Sequence, residues 1–266
     1  MAGETNKVVI VTGGSSGIGR CTASALKENG CIVYEFSRRN IPMEGVTHLS
    51  VDVTDEDAVN AAVQQVIQKE TKIDAAINCA GFGISGAVEF TSMEQAKAQF
   101  DVNFFGTVTV NKAVLPFLRH QGKGHIVNIS SVAAVAHIPF QTFYSASKAA
   151  VSSYSYALAN EVKPYGIHVT VVELGDICTG FTKARQKSIL GDDEYGGRIS
   201  RSVSQMEHDE QNGMDPARIG RYIAGIVEKK DPAVVYVAGA QYKFLSLLCK
   251  LLPAAARGKI VGKIYG

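Results

Sequence analysis

Two residues that could exchange a proton with a substrate stand four positions apart, as Tyr144 and Lys148. On a helix this spacing places both side chains on one face, about 5 to 6 Å apart. An ammonium group about 4 Å from a phenolate contributes about 4 kcal/mol at an effective dielectric of about 20, which would bring a tyrosine pKa from about 10 towards 7. The pair therefore predicts a tyrosine that acts as a general acid or base.

Ser131 precedes Tyr144 by 13 residues and follows an apolar run that we expect to form a strand. Its hydroxyl is predicted to hold a substrate oxygen beside the phenol, a contribution that is typically worth about 10² to 10³ in rate. The alternative is a serine that only caps the end of the strand. With ten tyrosines in the chain a Tyr-x-x-x-Lys pair is common by chance, so the interpretation depends on the order of several motifs.

A glycine-rich segment connects the first apolar run to a helical one. Gly13 permits the sharp turn, Gly17 lets the backbone approach a pyrophosphate, and Gly19 allows close packing of the helix on the sheet. The free N–H groups of the helix start would bind the anion, although an ordinary turn is the alternative reading. The other loop residues expected to contact the dinucleotide are Ser15, Ser16 and Ile18.

The end of the second predicted strand carries Ser37, Arg38 and Arg39, where a carboxylate would favour NAD. Arginine at this position receives the 2′-phosphate of NADP through charge-assisted hydrogen bonds of about 1.5 to 3 kcal/mol each. We therefore expect NADP(H) to be preferred over NAD(H). Two alternatives remain, namely that both arginines are only solvated or that Glu35 binds the ribose.

Two further strand ends are expected to contribute to the cofactor site. Asp52 and Val53 are predicted to lie beside the adenine ring, and a turn or helix cap is the alternative role for the aspartate. Asn78, Ala80 and Gly81 close the fourth strand with small residues that leave room for the cofactor.

The elements that must position these groups alternate between short apolar runs and longer amphipathic ones. Such alternation predicts an α/β fold: a single-domain, Rossmann-type doubly wound parallel sheet with helices on both faces. Thr54 is the expected N-cap of a helix that runs to about Thr71. The predicted strands are Val8 to Val11, Ile32 to Phe36, Ile73 to Asn78, His125 to Ile129 and His168 to Val172.

Taken together, these motifs resemble those of the short-chain dehydrogenase/reductase family, and within it the 17β-hydroxysteroid-dehydrogenase-like branch. The likeness covers about Val8 to Phe181. Departures from the usual pattern are Cys79 in place of a second asparagine, Leu174 in place of a proline, and Ser16 where many NADP-preferring relatives have a base.

The resemblance implies a catalytic tetrad of Asn103, Ser131, Tyr144 and Lys148, in which Asn103 holds a water that links the lysine to a proton relay. An asparagine that only satisfies a backbone carbonyl is the alternative. Hydride transfer to or from a nicotinamide is implied as well. Gly175, Ile177 and Thr179 would lie near its carboxamide.

Composition restricts the class of protein. The 266 residues carry a net charge of only +2, which gives no reason to expect a nucleic-acid partner. Five scattered cysteines without a Cys-x-x-Cys pair argue against a zinc cluster or a disulfide framework and fit the cytoplasm. No metal site is expected, and His125, His137 and His168 are interpreted as structural.

Two segments near the C-terminus are assigned separately within the single domain 1–266. Residues 179–213 are polar and poorly periodic and are expected to form a substrate lid. Residues 240–266 are expected to form a helical extension that packs in the core or a dimer, walls a hydrophobic substrate pocket, or contacts a membrane surface.

The resemblance further implies a small-molecule substrate that is a bulky, hydrophobic ketone, aldehyde or alcohol of steroid- or lipid-like character. It also implies a homodimer or homotetramer that pairs through the helices carrying Asn103 and Tyr144. Two other functions are considered: a dinucleotide-binding sensor or scaffold with little turnover, and a methyltransferase-like Rossmann protein that binds S-adenosylmethionine.

Overall fold

A seven-stranded parallel sheet forms the centre of the computed structural model, which describes residues 6–266. Two short strands, β5 and β8, pair separately in parallel. In chain order the strands are β1 Val8–Thr12, β2 Ile32–Ser37, β3 Val46–Ser50, β4 Ala75–Asn78, β5 Ile84–Ser85, β6 Gly124–Ser131, β7 Ile167–Leu174, β8 Gln186–Lys187 and β9 Val235–Val237.

Helices occupy most of the connections between the strands. A π-helical turn, Asp101–Phe105, joins α3 to α4. The helices are α1 Gly17–Glu28, α2 Glu56–Glu70, α3 Met93–Phe100, α4 Gly106–Gln121, α5 Ala133–Ala136, α6 Thr142–Val162, α7 Phe181–Ala184, α8 Arg198–Gln211, α9 Pro216–Val227, α10 Ala240–Leu251 and α11 Ala254–Tyr265.

Both faces of the sheet are covered, as continuous β-branched runs require. Every residue of β1 is buried. Residues of α2, α4 and α6 share one hydrophobic cluster with Val8 and Ile10, whereas residues of α1 and α9 share the other with Val9 and Val11. The doubly wound fold expected from the sequence is thus confirmed.

The strand order β3-β2-β1-β4-β6-β7-β9 reverses direction between β1 and β4. Such a switch point leaves a crevice at the carboxyl ends of the two strands. The backbones that follow them nearly touch there, since a Cβ atom added to Gly13 would lie 2.9 Å from the Ala80 nitrogen. The order of the strands therefore brings the glycine loop and the Asn78–Gly81 segment to one place.

Several local expectations were wrong. The N-cap of α2 is Asp55, whose side chain accepts from the Ala58 N–H, because Thr54 instead donates its own N–H and hydroxyl to Asp52. Strand β3 was predicted only through its end at Asp52 and Val53, without bounds, and β9 was not predicted. The first is an edge strand with only partly buried residues, and the second is three residues long, so neither produces an apolar run.

The proposed lid segment was expected to be poorly periodic, but it contains the helix α8. Ile199, Val203 and Met206 form a buried stripe at helical spacing and pack in a separate hydrophobic cluster with Phe140. The segment is therefore organised structure that packs on the rest of the protein.

Residues 240–266 form the expected helical extension as two helices, α10 and α11, with Pro253 between them. Among residues 6–266, no helix has the length and apolar character needed to span a bilayer.

Candidate active site

One cavity of about 930 Å³ occupies the crevice at the carboxyl ends of the strands. Ser131 and nearly all of the residues expected to contact a cofactor line it. The predicted residues in its wall are Gly13, Ser15, Ser16, Gly17, Ile18, Gly19, Ser37, Arg38, Arg39, Asp52, Val53, Ala80, Gly81, Ser131, Tyr144, Lys148, Gly175, Ile177 and Thr179.

The glycine loop is shaped as a phosphate cradle. Gly13 and Gly17 have φ values of +69° and +53°, a region that L-residues with side chains rarely adopt. A Cβ atom on Gly19 would lie 2.4 Å from the Gly13 carbonyl oxygen, so only glycine lets α1 begin this close to β1. These residues fit a dinucleotide, and the N–H groups at the start of α1 would hold its pyrophosphate.

Two arginines flank the adenosine end of the cavity. Arg38 lies 3.7 Å from Asp52 and leaves 75% of its side chain exposed, while Arg39 reaches to 3.5 Å from the Ser16 hydroxyl. Arg39 thus supplies positive charge beside the loop position where Ser16 replaces a base. Both guanidinium groups are available for a phosphate on the adenosine ribose.

Glu35, the alternative ribose ligand, is absent from the cavity wall. Its side chain is 2% exposed, lies beneath Gly14 and pairs with His48. One carboxylate oxygen is therefore bound within the sheet, and the other is buried beneath Gly14 without a hydrogen-bond partner among residues 6–266. Asp52, by contrast, accepts hydrogen bonds from Thr54 in the turn and also lines the cavity, and its contact with the adenine ring stays a prediction.

Tyr144 and Ser131 meet at the other end of the cavity, where their side chains share a hydrogen bond. Ser131 Oγ accepts from the Ala133 N–H at 3.1 Å, which leaves its hydroxyl hydrogen for donation. The serine is therefore both the strand-end cap and a donor beside the phenol.

The expected lowering of the tyrosine pKa towards 7 was wrong. Burial raises the pKa of Tyr144 to about 12, and the hydrogen bond from Ser131 only partly offsets this effect. The Lys148 ammonium lies 6.0 Å from the phenol ring centroid and donates to the Ile129 carbonyl oxygen at 2.9 Å. Burial lowers the pKa of Lys148 to about 8. The buried phenol is thus held as the proton-bearing form.

Asn103 is fully buried in the π-helical turn, a helix irregularity that is frequent at functional sites. Its Oδ1 accepts a hydrogen bond from the Phe82 N–H, and its Nδ2 donates to the Phe82 carbonyl oxygen, each at 3.0 Å. The same Nδ2 donates to the Ser147 hydroxyl at 3.1 Å. A side chain at Gly81 would meet both Asn103 Oδ1 and the Lys148 ammonium. The asparagine lies behind the cavity wall as a structural clamp close to the lysine.

Asn78 does not line the cavity, unlike the rest of its motif. It is 3% exposed and donates to the side chains of Asn111 and Asn128, at 2.7 and 2.8 Å. Because residues alternate between the faces of a strand, this amide cluster packs between the sheet and α4, and Asn78 supports the site from behind.

Other cavity residues were not anticipated from the sequence. Phe82, Gln141, Asp176, Glu210 and Tyr242 line the reactive end. Asp176 could have been suggested as a cavity residue, because it comes directly after the strand end at Leu174 and Gly175. Glu210 gave no such signal, because the helix that carries it was not predicted.

The C-terminal extension forms the outer wall of the same cavity. The wall residues of α10 and α11 are mostly apolar, which fits the substrate-wall alternative. They are Leu245, Leu248, Cys249, Arg257, Ile260, Val261, Ile264 and Tyr265, with Leu252 at the junction.

Comparison with known proteins agrees with this geometry. Residues 7–189 match the profile of the family described as short chain dehydrogenase. A 3-ketodihydrosphingosine reductase from Bacteroides thetaiotaomicron is 45% identical over 229 residues, which cover 85% of each chain. A probable short-chain type dehydrogenase/reductase, VdlC, from Helicobacter pylori is 30% identical over 254 residues, covering 93% of this chain and 94% of the relative. The crystal structure of a short-chain dehydrogenase from Streptomyces avermitilis covers 98% of both chains with a TM-score of 0.85 and 28% identity.

Proposed function

The chain belongs to the short chain dehydrogenase family, and from this premise we propose that it is an NADP(H)-dependent reductase of a hydrophobic, lipid-like ketone. Membership makes it an oxidoreductase. The substrate class is supported by the apolar cavity wall of α10 and α11 and by the similarity to a 3-ketodihydrosphingosine reductase.

The observation that carries the proposal is the placement of three polar side chains in the wall of one cavity. Ser131, Tyr144 and Lys148 lie at its reactive end, while the glycine loop and Arg38 lie at the other. A bound dinucleotide would supply the hydride to the carbonyl carbon. The protein's own groups then have to hold the carbonyl oxygen and provide a proton.

Ser131 and Tyr144 are the donors for that oxygen. Two hydroxyl groups aimed at one carbonyl stabilise the negative charge that develops on the oxygen, and the phenol delivers its proton there. A phenol with a raised pKa is present as the acid throughout the neutral range, as ketone reduction requires. The Lys148 ammonium favours the phenolate left after proton transfer, and Asn103 fixes the backbone of Phe82 beside it.

The proposal is tested by following NADPH consumption with a panel of long-chain ketones and, in reverse, NADP reduction with the matching alcohols. We expect turnover with apolar ketones of long chain. Binding of NADPH without turnover on any carbonyl would instead indicate a sensor or scaffold.

Replacement of Arg38 by alanine should raise the KM for NADPH at least about tenfold, because one charge-assisted hydrogen bond to the 2′-phosphate is lost. The KM for NADH should change less than about twofold, since that cofactor lacks the phosphate. Steady-state kinetics with both cofactors measure the difference, and Arg119→Ala at the exposed end of α4 is the control. Equal effects on the two cofactors would refute the NADP preference.

We also propose that α10 and α11 contact an anionic membrane surface. Residues 240–266 contain five lysines or arginines and no aspartate or glutamate. Phe244, Leu247 and Leu251 form an exposed apolar stripe on α10, and Ile260 and Ile264 are exposed on α11 while also lining the cavity. Basic charge beside an apolar face complements anionic lipid, and the contact would open the cavity towards the bilayer.

Sedimentation with vesicles tests the membrane contact. The protein should bind vesicles that contain phosphatidylglycerol, and high salt should weaken binding because the attraction is partly electrostatic. Leu251→Glu should release the protein by placing a negative charge in the stripe, whereas Met93→Glu, an equally exposed position on α3, should not. Failure of the wild-type protein to bind these vesicles would contradict the proposal.

Finally, we propose that the chain forms a homodimer or homotetramer in the cytoplasm through α4, α6 and the π-helical turn. Phe105 on this turn is 54% exposed and packs edge-on against Phe104. Sedimentation equilibrium measures the assembly, and a monomer mass at micromolar concentration would contradict it.

A further inference from the structure

A carboxylate stands in the cavity next to the reactive phenol. Asp176 is half-buried, lines the cavity and follows β7 after a single glycine. Tyr242 donates its hydroxyl to Asp176 Oδ2 at 2.8 Å. Within residues 6–266 the other carboxylate oxygen, Oδ1, forms no hydrogen bond, so one acceptor remains available on a side chain that lines the cavity.

The surroundings of Asp176 are short of positive charge. Arg185 is the adjacent cation, but its guanidinium is bound to Glu210, which also accepts from Thr182 at 2.6 Å. Asp209 lies nearby and accepts from the Tyr265 hydroxyl at 3.0 Å. Burial, together with the charges of Asp209 and Glu210, raises the pKa of Asp176. Three carboxylates thus lie near one guanidinium, which pairs with Glu210 alone, and a cationic ligand would offset the excess negative charge.

The other cations of the cavity wall are engaged elsewhere. Lys148 donates to the Ile129 carbonyl, and Arg257 donates to the Cys249 carbonyl at 3.0 Å. Arg38 and Arg39 lie at the adenosine end of the cavity, beside Asp52 and Ser16. None of these groups therefore partners Asp176.

A chain of contacts connects this negative region to the proton donor. The Tyr144 ring packs on the Phe181 ring with centroids 5.8 Å apart, and Arg185 stacks on the same ring at 5.6 Å. Beyond the effects of burial and of Ser131, the charges of Glu210, Arg185 and Asp176 all act on the phenol. The carboxylate is therefore within electrostatic reach of the position where the substrate oxygen is bound.

The register of the sheet places Asp176 close to the second donor as well. Ser131 is paired with Leu174 across β6 and β7, neighbouring strands that are about 4.8 Å apart, and Asp176 lies two residues beyond Leu174. A ketone oxygen held by Ser131 and Tyr144 thus places the neighbouring part of the substrate on the side of the cavity that Asp176 lines.

We propose that Asp176 determines substrate specificity by accepting a hydrogen bond from an ammonium group on the carbon next to the ketone. The preferred substrates are then long-chain 2-amino ketones, with the alkyl chain against α10 and α11. This inference rests on the proposed function and specifies its substrate class. A purely structural role, in which Asp176 only anchors Tyr242, makes a different prediction.

The test compares 2-aminododecan-3-one with dodecan-3-one, two ketones that differ by the amino group alone. With NADPH, Asp176→Asn should lower kcat/KM for the amino ketone about 10- to 100-fold, because a charge-assisted hydrogen bond is lost. Its kcat/KM for dodecan-3-one should change less than about threefold, since asparagine is isosteric and can still accept from Tyr242. Tyr242→Phe, which keeps the carboxylate, should retain the preference for the amino ketone.

An equal loss on both ketones would assign Asp176 a structural role and overturn the inference, as would no loss on either. If the wild-type protein reduces dodecan-3-one but shows no preference for its amino analogue, only the specificity is refuted. If it reduces neither ketone, the proposed function itself fails.

Discussion

Tyr144→Phe is expected to lower kcat for ketone reduction by about 10² or more while the affinity for NADPH stays within about twofold. The substitution removes only the hydroxyl, which shares a hydrogen bond with Ser131 and would deliver the proton to the carbonyl oxygen. The ring, with its contact to Phe181, is retained. Single-turnover kinetics and NADPH fluorescence titration measure the two quantities separately.

Tyr154→Phe provides a matched control for this prediction. Tyr154 is a half-buried phenol on the same helix, α6, but it packs against Phe104 and does not line the cavity. Its variant should turn over at nearly the wild-type rate. If the Tyr144 variant kept activity within about threefold of wild type, the phenol would not be the proton donor.

Lys148→Met is expected to lower alcohol oxidation by about 10² at neutral pH, which displaces the part of the pH profile below about pH 8, where Lys148 is charged, by about two units to higher pH. Oxidation requires the phenolate as the base, and burial already raises the pKa of Tyr144 to about 12. A unit charge about 6 Å away contributes about 3 kcal/mol at an effective dielectric of about 20, so its removal raises this pKa further. The oxidation rate measured from neutral to alkaline pH gives the shift.

A measurement of the stability of Lys148→Met distinguishes the loss of the lysine charge from unfolding as the cause of the lower rate. The pKa of Lys148 is lowered from its ordinary value of 10.5 to about 8, so between these values the unfolded chain binds a proton that the folded chain does not. Below pH 8 the buried ammonium therefore costs folding free energy, and methionine removes this cost. We expect an unchanged or higher Tm for Lys148→Met. Lys112→Met on the exposed face of α4 should alter neither the profile nor the rate, and an unshifted profile in the Lys148 variant would contradict its role.

The sequence predicted those parts of the site that depend on residues close to one another in the chain. Gly13, Gly17 and Gly19 have steric reasons for being glycine within one turn, and the Tyr144 to Lys148 spacing is a property of a single helix. The five predicted strands appear in the sheet because their apolar runs are buried on both faces. Local patterns of this kind do not require knowledge of the tertiary structure.

The substrate end could not be predicted in the same way. Asp176, Glu210 and the two C-terminal helices come from segments far apart in the chain and meet only in the folded protein. In the polar segment that contains α8, polar and charged residues separate the buried apolar positions, so their helical spacing was not recognised. The tyrosine pKa was misjudged because spacing alone does not reveal that the Lys148 ammonium is directed at the Ile129 carbonyl or how strongly burial acts on the phenol.

Transfer of deuterium from cofactor to product tests the central claim most directly. The wild-type protein is incubated with a long-chain ketone and NADPH deuterated at the transferable C4 position, and the alcohol is analysed by mass spectrometry. We predict an alcohol with one deuterium on the carbinol carbon, formed far more slowly by Tyr144→Phe. An alcohol without deuterium, or equal formation by both proteins, would contradict hydride transfer assisted by the Tyr144 proton.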